Sequence, residues 1–206
     1  MTTPMRGYVV AFEGLDQSGK QTQAERLAAQ LRAQGRQVEF LSFPEYPTAI
    51  GQEIGRALAG DREYAADTLQ LLYVANRFEF RPLMEGWLAA GAVIICDRYT
   101  ASSIAYGEAQ GLSSAWLQAV QQPLPPADIT LLLDIPPEVS LQRKQAARDR
   151  FERDLPLLAR VRDSYRRQSH QPGWVLIDGQ QTPEAVAAAV QAAVRGPLGL
   201  PSAPSR

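Results

Sequence analysis

The sequence predicts an α/β fold with a five-stranded, mainly parallel sheet and helices on both of its faces. Short apolar runs alternate with amphipathic segments along the chain, and one run, residues 92–96, is apolar at every position. Such a run is typical of a strand that is covered on both faces, and repeated strand–helix alternation builds a parallel sheet. The length of 206 residues suits one domain. We therefore expect a single domain over residues 1–206.

The strands are predicted from apolar runs, and the helices from apolar side chains three and four positions apart. The predicted strands are residues 8–13, 37–42, 92–96, 128–133 and 174–177. The predicted helices are residues 19–34, 48–59, 67–89, 101–110, 113–121, 137–147, a segment that ends near 169, and a segment that begins at 182.

The ends of the first and last helices have recognisable signals. Gly35 is expected to end the first helix, and Pro183 stands in the first turn of the last one. That last helix has valines at every fourth position, Val186, Val190 and Val194. Residues 196–206 contain glycines, prolines and serines, and we expect them to form a frayed tail.

The most specific motif follows the first predicted strand directly. Residues 14–22 are Gly-Leu-Asp-Gln-Ser-Gly-Lys-Gln-Thr. Glycines allow backbone N–H groups to point at phosphate oxygens, the lysine reaches the outer phosphates, and the next helix presents its positive end. This pattern predicts a nucleotide phosphate-binding loop and a fold of the P-loop NTPase type. The residues expected to bind are Gly14, Leu15, Asp16, Gln17, Ser18, Gly19, Lys20, Gln21 and Thr22.

The loop departs from the usual Gly-Lys-Ser/Thr ending, because Gln21 occupies the hydroxyl position and Thr22 follows it. The usual Mg²⁺ ligand is therefore in question. The alternative is an ordinary glycine-rich turn that caps a helix. Lys20 and Lys144 are the only lysines among 21 basic residues, so the chain keeps a lysine where a phosphate loop needs one.

Polar residues also follow the other predicted strands, at the edge where parallel sheets bind ligands. The second strand is followed by Phe43-Pro44-Glu45-Tyr46, the third by Asp97-Arg98-Tyr99, and the fourth ends at Asp134. We expect Asp97 to orient Mg²⁺ or its water shell and Arg98 to bind phosphate, the alternative being a surface salt bridge. For Asp134 we favour a structural role as a cap of the next helix.

Two further segments are candidates for binding. Residues 143–154 have five basic and three acidic side chains, which suits a mobile lid over a triphosphate, although a solvated helical face is the alternative. Tyr73 and Arg77 lie four positions apart on a predicted helix and share a face. Tyr73 is expected to stack on a base and Arg77 to donate to its edge, whereas periodicity alone places Tyr73 in the core.

The composition limits the classes of partner and the compartment that we expect for this protein. A net charge of −1 gives no electrostatic footprint for polymeric nucleic acid or an anionic membrane. The one cysteine, Cys96, excludes an internal disulfide, suits a reducing compartment and is expected to be buried. The one histidine, His170, rules out a multi-histidine metal site. The longest apolar stretch, 87–96, is too short to span a bilayer, so we expect a soluble, cytoplasmic protein.

Five segments together resemble the thymidylate kinases, a family of nucleoside-monophosphate kinases. They are residues 12–20, Phe43-Pro44-Glu45-Tyr46, residues 71–77, residues 97–106, and Asp134-Ile135-Pro136-Pro137-Glu138, in family order between residue 8 and about 195. The resemblance implies the reaction ATP + dTMP → ADP + dTDP with Mg²⁺, in a homodimer.

The resemblance also implies roles for individual residues. Besides the loop, it adds Arg143 to the ATP-binding residues. The implied catalytic residues are Lys20, Asp97, Arg98 and the lid arginines Arg148, Arg150 and Arg153. The implied metal site consists of Asp16, Thr22 and Asp97. The implied dTMP-binding residues are Asp16, Phe43, Pro44, Tyr46, Tyr73, Arg77, Arg98, Ser102, Ser103, Tyr106, Phe151 and Glu152.

The sequence departs from the family pattern at some positions, and two alternative functions therefore stay open. Many members have arginine where Tyr46 stands. In one class of the family the catalytic arginine lies in the phosphate loop. Here that loop position is Gln17, so we place the catalytic arginine in the lid. A kinase for a deoxynucleoside or for another monophosphate is the nearest rival. A nucleotide-dependent switch or binding module is the second, although the guanine-reading Asn-Lys-x-Asp segment of GTP switches is missing.

Overall fold

The computed structural model describes residues 6–143 and 154–200 as a five-stranded, fully parallel sheet between helices. Its strand order is β2-β3-β1-β4-β5. The strands are β1 (Tyr8–Glu13), β2 (Val38–Ser42), β3 (Val93–Asp97), β4 (Ile129–Asp134) and β5 (Trp174–Asp178). The predicted α/β class and all five predicted strands are confirmed, each boundary lying within one residue of its predicted position.

The helices also follow the predicted order. They are α1 (Lys20–Ala33), α2 (Ala49–Ala59), α3 (Ala66–Ala89), α4 (Thr100–Ala109), α5 (Ser114–Gln121), α6 (Pro137–Arg143), α7 (Leu155–Gln168) and α8 (Pro183–Arg195). Side-chain oxygens cap several of them. Thr48 accepts from the Gly51 N–H at the start of α2, and Asp154 accepts from the Leu157 N–H at 2.9 Å at the start of α7.

Both faces of the sheet are covered, which explains the unalternating apolar run of β3. One face packs on α1 and α8 through residues such as Phe12, Leu27 and Val190. The other face packs on α3 through residues such as Ile94 and Met84. Cys96 lies in this second layer, fully buried as expected, and burial raises the pKa of its thiol far above the ordinary value.

The prediction of a frayed tail is wrong for residues 196–200. Leu198 is 1% exposed and packs in the same cluster as Val190 and Val194. Its N–H donates to the Val194 carbonyl at 2.9 Å, and its own carbonyl accepts from Arg36 Nη1 at 3.0 Å. The chain turns back after α8, so a leucine from a glycine- and proline-containing segment completes the core. Residues 201–206 lie outside the described part.

We expect Leu198→Ala to lower the free energy of unfolding by about 2–3 kcal/mol, because it leaves a cavity in a close-packed cluster. Leu176→Ala is the matched control, since Leu176 on β5 is 50% exposed. Its effect should stay within about 0.5 kcal/mol. Urea unfolding followed by circular dichroism measures both variants. Equal, small effects would show that this turn does not contribute to the core.

Candidate active site

The loop between β1 and α1 has the backbone of an anion site. Gly14 has φ 136° and Gly19 has φ 94°, values that L side chains rarely adopt. A Cβ at Gly14 would also lie 2.4 Å from the Leu133 carbonyl oxygen. Within the described residues, no side chain caps α1 and no carboxylate stands in its first turn, so its positive end is open to an anion.

Lys20 is buried inside this loop. It is 5% exposed, and its Nζ donates to the Leu15 carbonyl at 2.8 Å. Burial, followed by the neighbouring charge of Arg98, lowers its pKa from 10.5 to about 8. Nearby carboxylates offset this only in part. A bound phosphate would place a compensating negative charge beside the Lys20 ammonium group.

Arg98 lies beside the loop, at the end of β3, with a φ of 64° that is unusual for a residue other than glycine. Its Nη2 donates to Asp16 Oδ1 at 2.6 Å, and its Nη1 donates to the Gly14 carbonyl at 3.2 Å. Burial disfavours its charge, but Asp16 and neighbouring tyrosines hold its pKa well above the ordinary value. The Arg98–Asp16 pair is a salt bridge, but it is partly buried rather than exposed at the surface.

The residues proposed for the metal border a common cavity at the loop, together with Gln17, Gly19, Lys20 and Gln21. Asp97 Oδ1 is buried and, in the described part of the chain, lacks a hydrogen-bond partner. This orphaned oxygen suits Mg²⁺ or its water shell. The described residues contain no group of three or more His, Cys, Asp or Glu able to hold a metal alone. Phosphate oxygens and water would therefore supply most ligands, as is usual for Mg²⁺.

Gln21 and Thr22, the two residues that follow Lys20, have different surroundings. Gln21 is exposed, and its Nε2 donates to Glu25 Oε1 at 2.9 Å on the same helix. Thr22 is also exposed but borders the cavity together with Asp97. Among the described residues that line this cavity, Thr22 is the one with a hydroxyl.

A second cavity lies on the other side of Asp16 and Arg98. All ten described residues of the predicted acceptor site line it: Asp16, Phe43, Pro44, Tyr46, Tyr73, Arg77, Arg98, Ser102, Ser103 and Tyr106. Leu58 and Gln70 line it as well and were not predicted. Gln70 lies three positions before Tyr73 and seven before Arg77, so helical periodicity was a usable signal for it. Leu58 gave no such signal.

Arg77 is the buried cation of this second cavity. It is 2% exposed, and its Nη1 donates to Ser103 Oγ at 2.8 Å and to Gln121 Oε1 at 3.3 Å. Its Nε is buried without a partner among the described residues. Burial lowers its pKa even though Glu13 opposes this effect. A guanidinium in this state is suited to donate hydrogen bonds to a neutral carbonyl.

The loop after β2 is fixed by Asn76 of α3, a residue that the sequence did not single out. The Glu45 N–H donates to Asn76 Oδ1 at 2.8 Å. Asn76 Nδ2 donates to Thr48 Oγ1 and Glu79 Oε2, both at 3.0 Å. This fully buried amide therefore sets the position of Phe43, Pro44 and Tyr46 at the cavity wall.

Ser102 borders the second cavity, but its hydroxyl is directed into the wall. Ser102 Oγ donates to Glu13 Oε2 at 2.6 Å and lies 2.8 Å from the Tyr165 hydroxyl. Glu13 is fully buried at the end of β1 and also accepts from the Tyr99 N–H at 2.8 Å. The sequence analysis assigned no role to Glu13 or Tyr165.

Arg143 and Asp134 occupy the far side of the loop. Arg143 Nη1 donates to the Gln17 carbonyl and its Nη2 to the Gly179 carbonyl, both at 3.0 Å. Asp134 accepts a bidentate pair from Arg162 at 2.7 and 2.8 Å. Its carboxylate pairs with α7 in place of the predicted cap of the next helix, and its structural role stays a prediction. The lid residues Arg148, Arg150, Phe151, Glu152 and Arg153 lie outside the described residues.

Asp16 and Arg98 border both cavities, so a ligand phosphate in one cavity would face a ligand phosphate in the other. A P-loop on one side and a base-sized cavity on the other are typical of the P-loop kinases that phosphorylate small nucleotides. A family model described as thymidylate kinase matches residues 12–190. This chain belongs to the thymidylate kinase family.

Individual relatives agree with this assignment. The chain is 35% identical over 189 residues to a thymidylate kinase of Arabidopsis thaliana, covering 92% of this chain and 71% of the relative. It is 38% identical to a probable thymidylate kinase of Pyrococcus abyssi, covering 78% and 82%. The solved thymidylate kinase of Candida albicans superposes with a TM-score of 0.80 at 28% identity, covering 93% and 92%. In the described residues, no helix has the length and apolarity to cross a bilayer.

Proposed function

We propose that this protein transfers the γ-phosphoryl group of ATP to dTMP, forming ADP and dTDP. The observation that carries the proposal is the pair Asp16 and Arg98, which borders both the phosphate-loop cavity and the second cavity. In-line transfer needs the donor and acceptor phosphates to meet, and this junction is where they would meet. The likeness to thymidylate kinases selects the substrates.

The residues near the junction have complementary roles in the proposed transfer. Lys20 binds the outer phosphates of ATP, and Arg98 holds the dTMP phosphate whose oxygen attacks the γ-phosphorus. Asp97, Asp16 and Thr22 would hold Mg²⁺ and its waters, and the ion would neutralise part of the phosphate charge. We assign the remaining neutralisation to the lid arginines Arg148, Arg150 and Arg153, with Arg143 beside the donor nucleotide.

The second cavity selects the base in this proposal. Tyr73 stacks on thymine, while Arg77, which lines the same cavity, donates to a carbonyl of the ring. Phe43, Pro44 and Tyr46 line one wall. The family resemblance assigns contact with the sugar to Phe151 and Glu152, which are outside the described residues. A methyl group alone contributes about 1–3 kcal/mol of preference. We therefore expect dUMP to be a substrate of lower efficiency.

ADP release from Mg²⁺ and ATP with separate acceptors tests the proposal: dTMP, dUMP, UMP, dCMP, AMP, GMP and thymidine. The fastest turnover should be with dTMP. Faster turnover with thymidine or another monophosphate would overturn the base assignment. The related Candida albicans enzyme is described as having broad substrate specificity. A flat profile over several monophosphates would extend that property to this chain, while tight ATP binding without turnover would favour a binding module.

A homodimer in the cytoplasm completes the proposal. The buried, unpaired thiol of Cys96 is compatible with a reducing compartment, and the family resemblance supports the dimer. Sedimentation equilibrium with the purified protein should give twice the mass of one chain.

Binding of ATP at pH 9 is expected to take up a proton. With a pKa of about 8, Lys20 is mostly neutral at pH 9 in the empty site. The bound phosphates favour its charged form, so its pKa rises and it gains a proton. Calorimetric titrations in two buffers of different ionisation enthalpy measure this uptake. Lys20→Met should abolish the uptake, and an uptake that persists in this variant would assign the proton to another group.

Asn76→Ala is expected to raise KM for dTMP about tenfold and to leave KM for ATP within about twofold. The reason is that the loop bearing Phe43 and Tyr46 loses the hydrogen bonds that fix it, each contributing about 1 kcal/mol. Steady-state kinetics with each substrate varied in turn checks both constants. An equal rise in the two constants would indicate general loosening of the fold.

A further inference from the structure

Tyr165 of α7 is a buried residue to which the proposed reaction assigns no role. It is 1% exposed and packs in the cluster that joins α4 and α7. Its hydroxyl lies 3.0 Å from Glu13 Oε2 and 2.8 Å from Ser102 Oγ. Arg98 Nη1 donates to the same hydroxyl at 3.3 Å. One oxygen from the helix after the lid thus contacts the arginine at the junction of the two cavities.

The Tyr165 hydroxyl is protonated, so it can both donate and accept hydrogen bonds. Burial, followed by the charge of Glu13, raises the pKa of Tyr165 well above its ordinary value, so the group keeps its proton. Its O–H can donate to Glu13 while its oxygen accepts from Arg98. Glu13 is itself fixed by the Tyr99 N–H and by Ser102 Oγ. Glu13, Ser102 and Arg98 therefore surround the Tyr165 hydroxyl before any ligand binds.

The helix that bears Tyr165 is fixed at two further points. Arg162 forms the bidentate pair with Asp134 at the end of β4. Ser164 donates to Glu108 of α4, and Arg167 Nη2 donates to the same carboxylate at 3.0 Å. These contacts lie within one turn of Tyr165 on either side. They attach α7 to the end of β4 and to α4.

We propose that Tyr165 is a positioning residue of the reaction. Its hydroxyl holds the Arg98 guanidinium in the orientation that binds the acceptor phosphate. Asp16 fixes one terminal nitrogen of Arg98, and Tyr165, Ser102 and Gly14 surround the other. The inference deepens the proposed function and rests on it, because it needs Arg98 to bind the phosphate of dTMP.

The test compares dTMP with thymidine, which lacks the phosphate, as ligands of wild type and Tyr165→Phe. This change removes the hydroxyl and keeps the ring that packs in the core. Calorimetry without ATP should show dTMP affinity lowered about tenfold and thymidine affinity changed less than twofold. KM for ATP should stay within about twofold. A merely structural effect would weaken dTMP and thymidine equally, and that result would overturn the inference.

Two controls make the result specific. Tyr99→Phe removes another buried hydroxyl, one that donates to the Pro125 carbonyl at 2.8 Å, and should leave dTMP affinity unchanged. In an Arg98→Met background, Tyr165→Phe should cause no further loss of dTMP affinity. An additional loss in that background, or unchanged dTMP affinity in Tyr165→Phe alone, would overturn the inference. A wild-type protein that binds no dTMP would instead overturn the proposed function, before any variant is compared.

Discussion

Lys20→Met is expected to lower kcat by about a thousandfold or more, because it removes the one buried cation inside the phosphate loop. Charge that moves among phosphate oxygens during transfer would then lose a preorganised partner, and such losses are typically 10²–10³-fold or larger. The variant should fold at least as stably as wild type. Burial of the charged lysine is unfavourable, as its lowered pKa shows, and methionine has similar length without the charge.

Steady-state ADP release and urea unfolding together check this expectation. Arg26→Met on the exposed side of α1 is the matched control and should keep its activity, since Arg26 pairs only with Glu184 and the Pro183 carbonyl in the described residues. Loss of ATP affinity with kcat unchanged would contradict the catalytic role of Lys20. It would show that Lys20 contributes to nucleotide binding alone.

Arg98→Met is expected to lower kcat/KM for dTMP by about 10²–10³-fold. One reason is that a charge-assisted contact with phosphate is roughly twice as strong as a neutral hydrogen bond. The other is that no other described arginine lines both cavities and could replace Arg98. Thymidine binding should change little, because thymidine has no phosphate for Arg98 to hold. Kinetics with dTMP and calorimetry with thymidine measure the two effects.

Arg162→Met controls for the loss of a partly buried, paired arginine. Arg162 binds Asp134 and lines neither cavity. We expect this control to lose stability while keeping kcat/KM for dTMP within a few-fold. If both arginine variants lose the same activity, the loss arises from the fold and Arg98 has no special role.

Local patterns predicted most of the fold and the outline of the site. The phosphate loop, the apolar β3 and the pair Tyr73 and Arg77 each depend on residues close together in sequence. Parallel strands then bring their carboxyl ends to one edge, so residues after separate strands were expected together. The structure places the ten described acceptor residues in one cavity, while their individual roles remain predictions.

Long-range contacts account for what the sequence could not predict. Glu13 and Tyr165 are 152 positions apart, and neither has a pattern that indicates the other. Asn76 was part of a recognised segment, but its clamp on Glu45 depends on how α3 packs against the loop after β2. Leu198 was misassigned for the same reason, because only the packed core shows that a leucine after α8 fills it.

The ion pair between Arg98 and Asp16 has a consequence for how tightly the acceptor is held. Asp16 already pairs with the Arg98 guanidinium, so this cation is partly neutralised before a phosphate arrives. The phosphate of dTMP therefore gains less affinity than it would from an unpaired arginine, and the same holds for the phosphate of dTDP. This limits ground-state binding of substrate and product alike, which favours turnover over retention of either nucleotide.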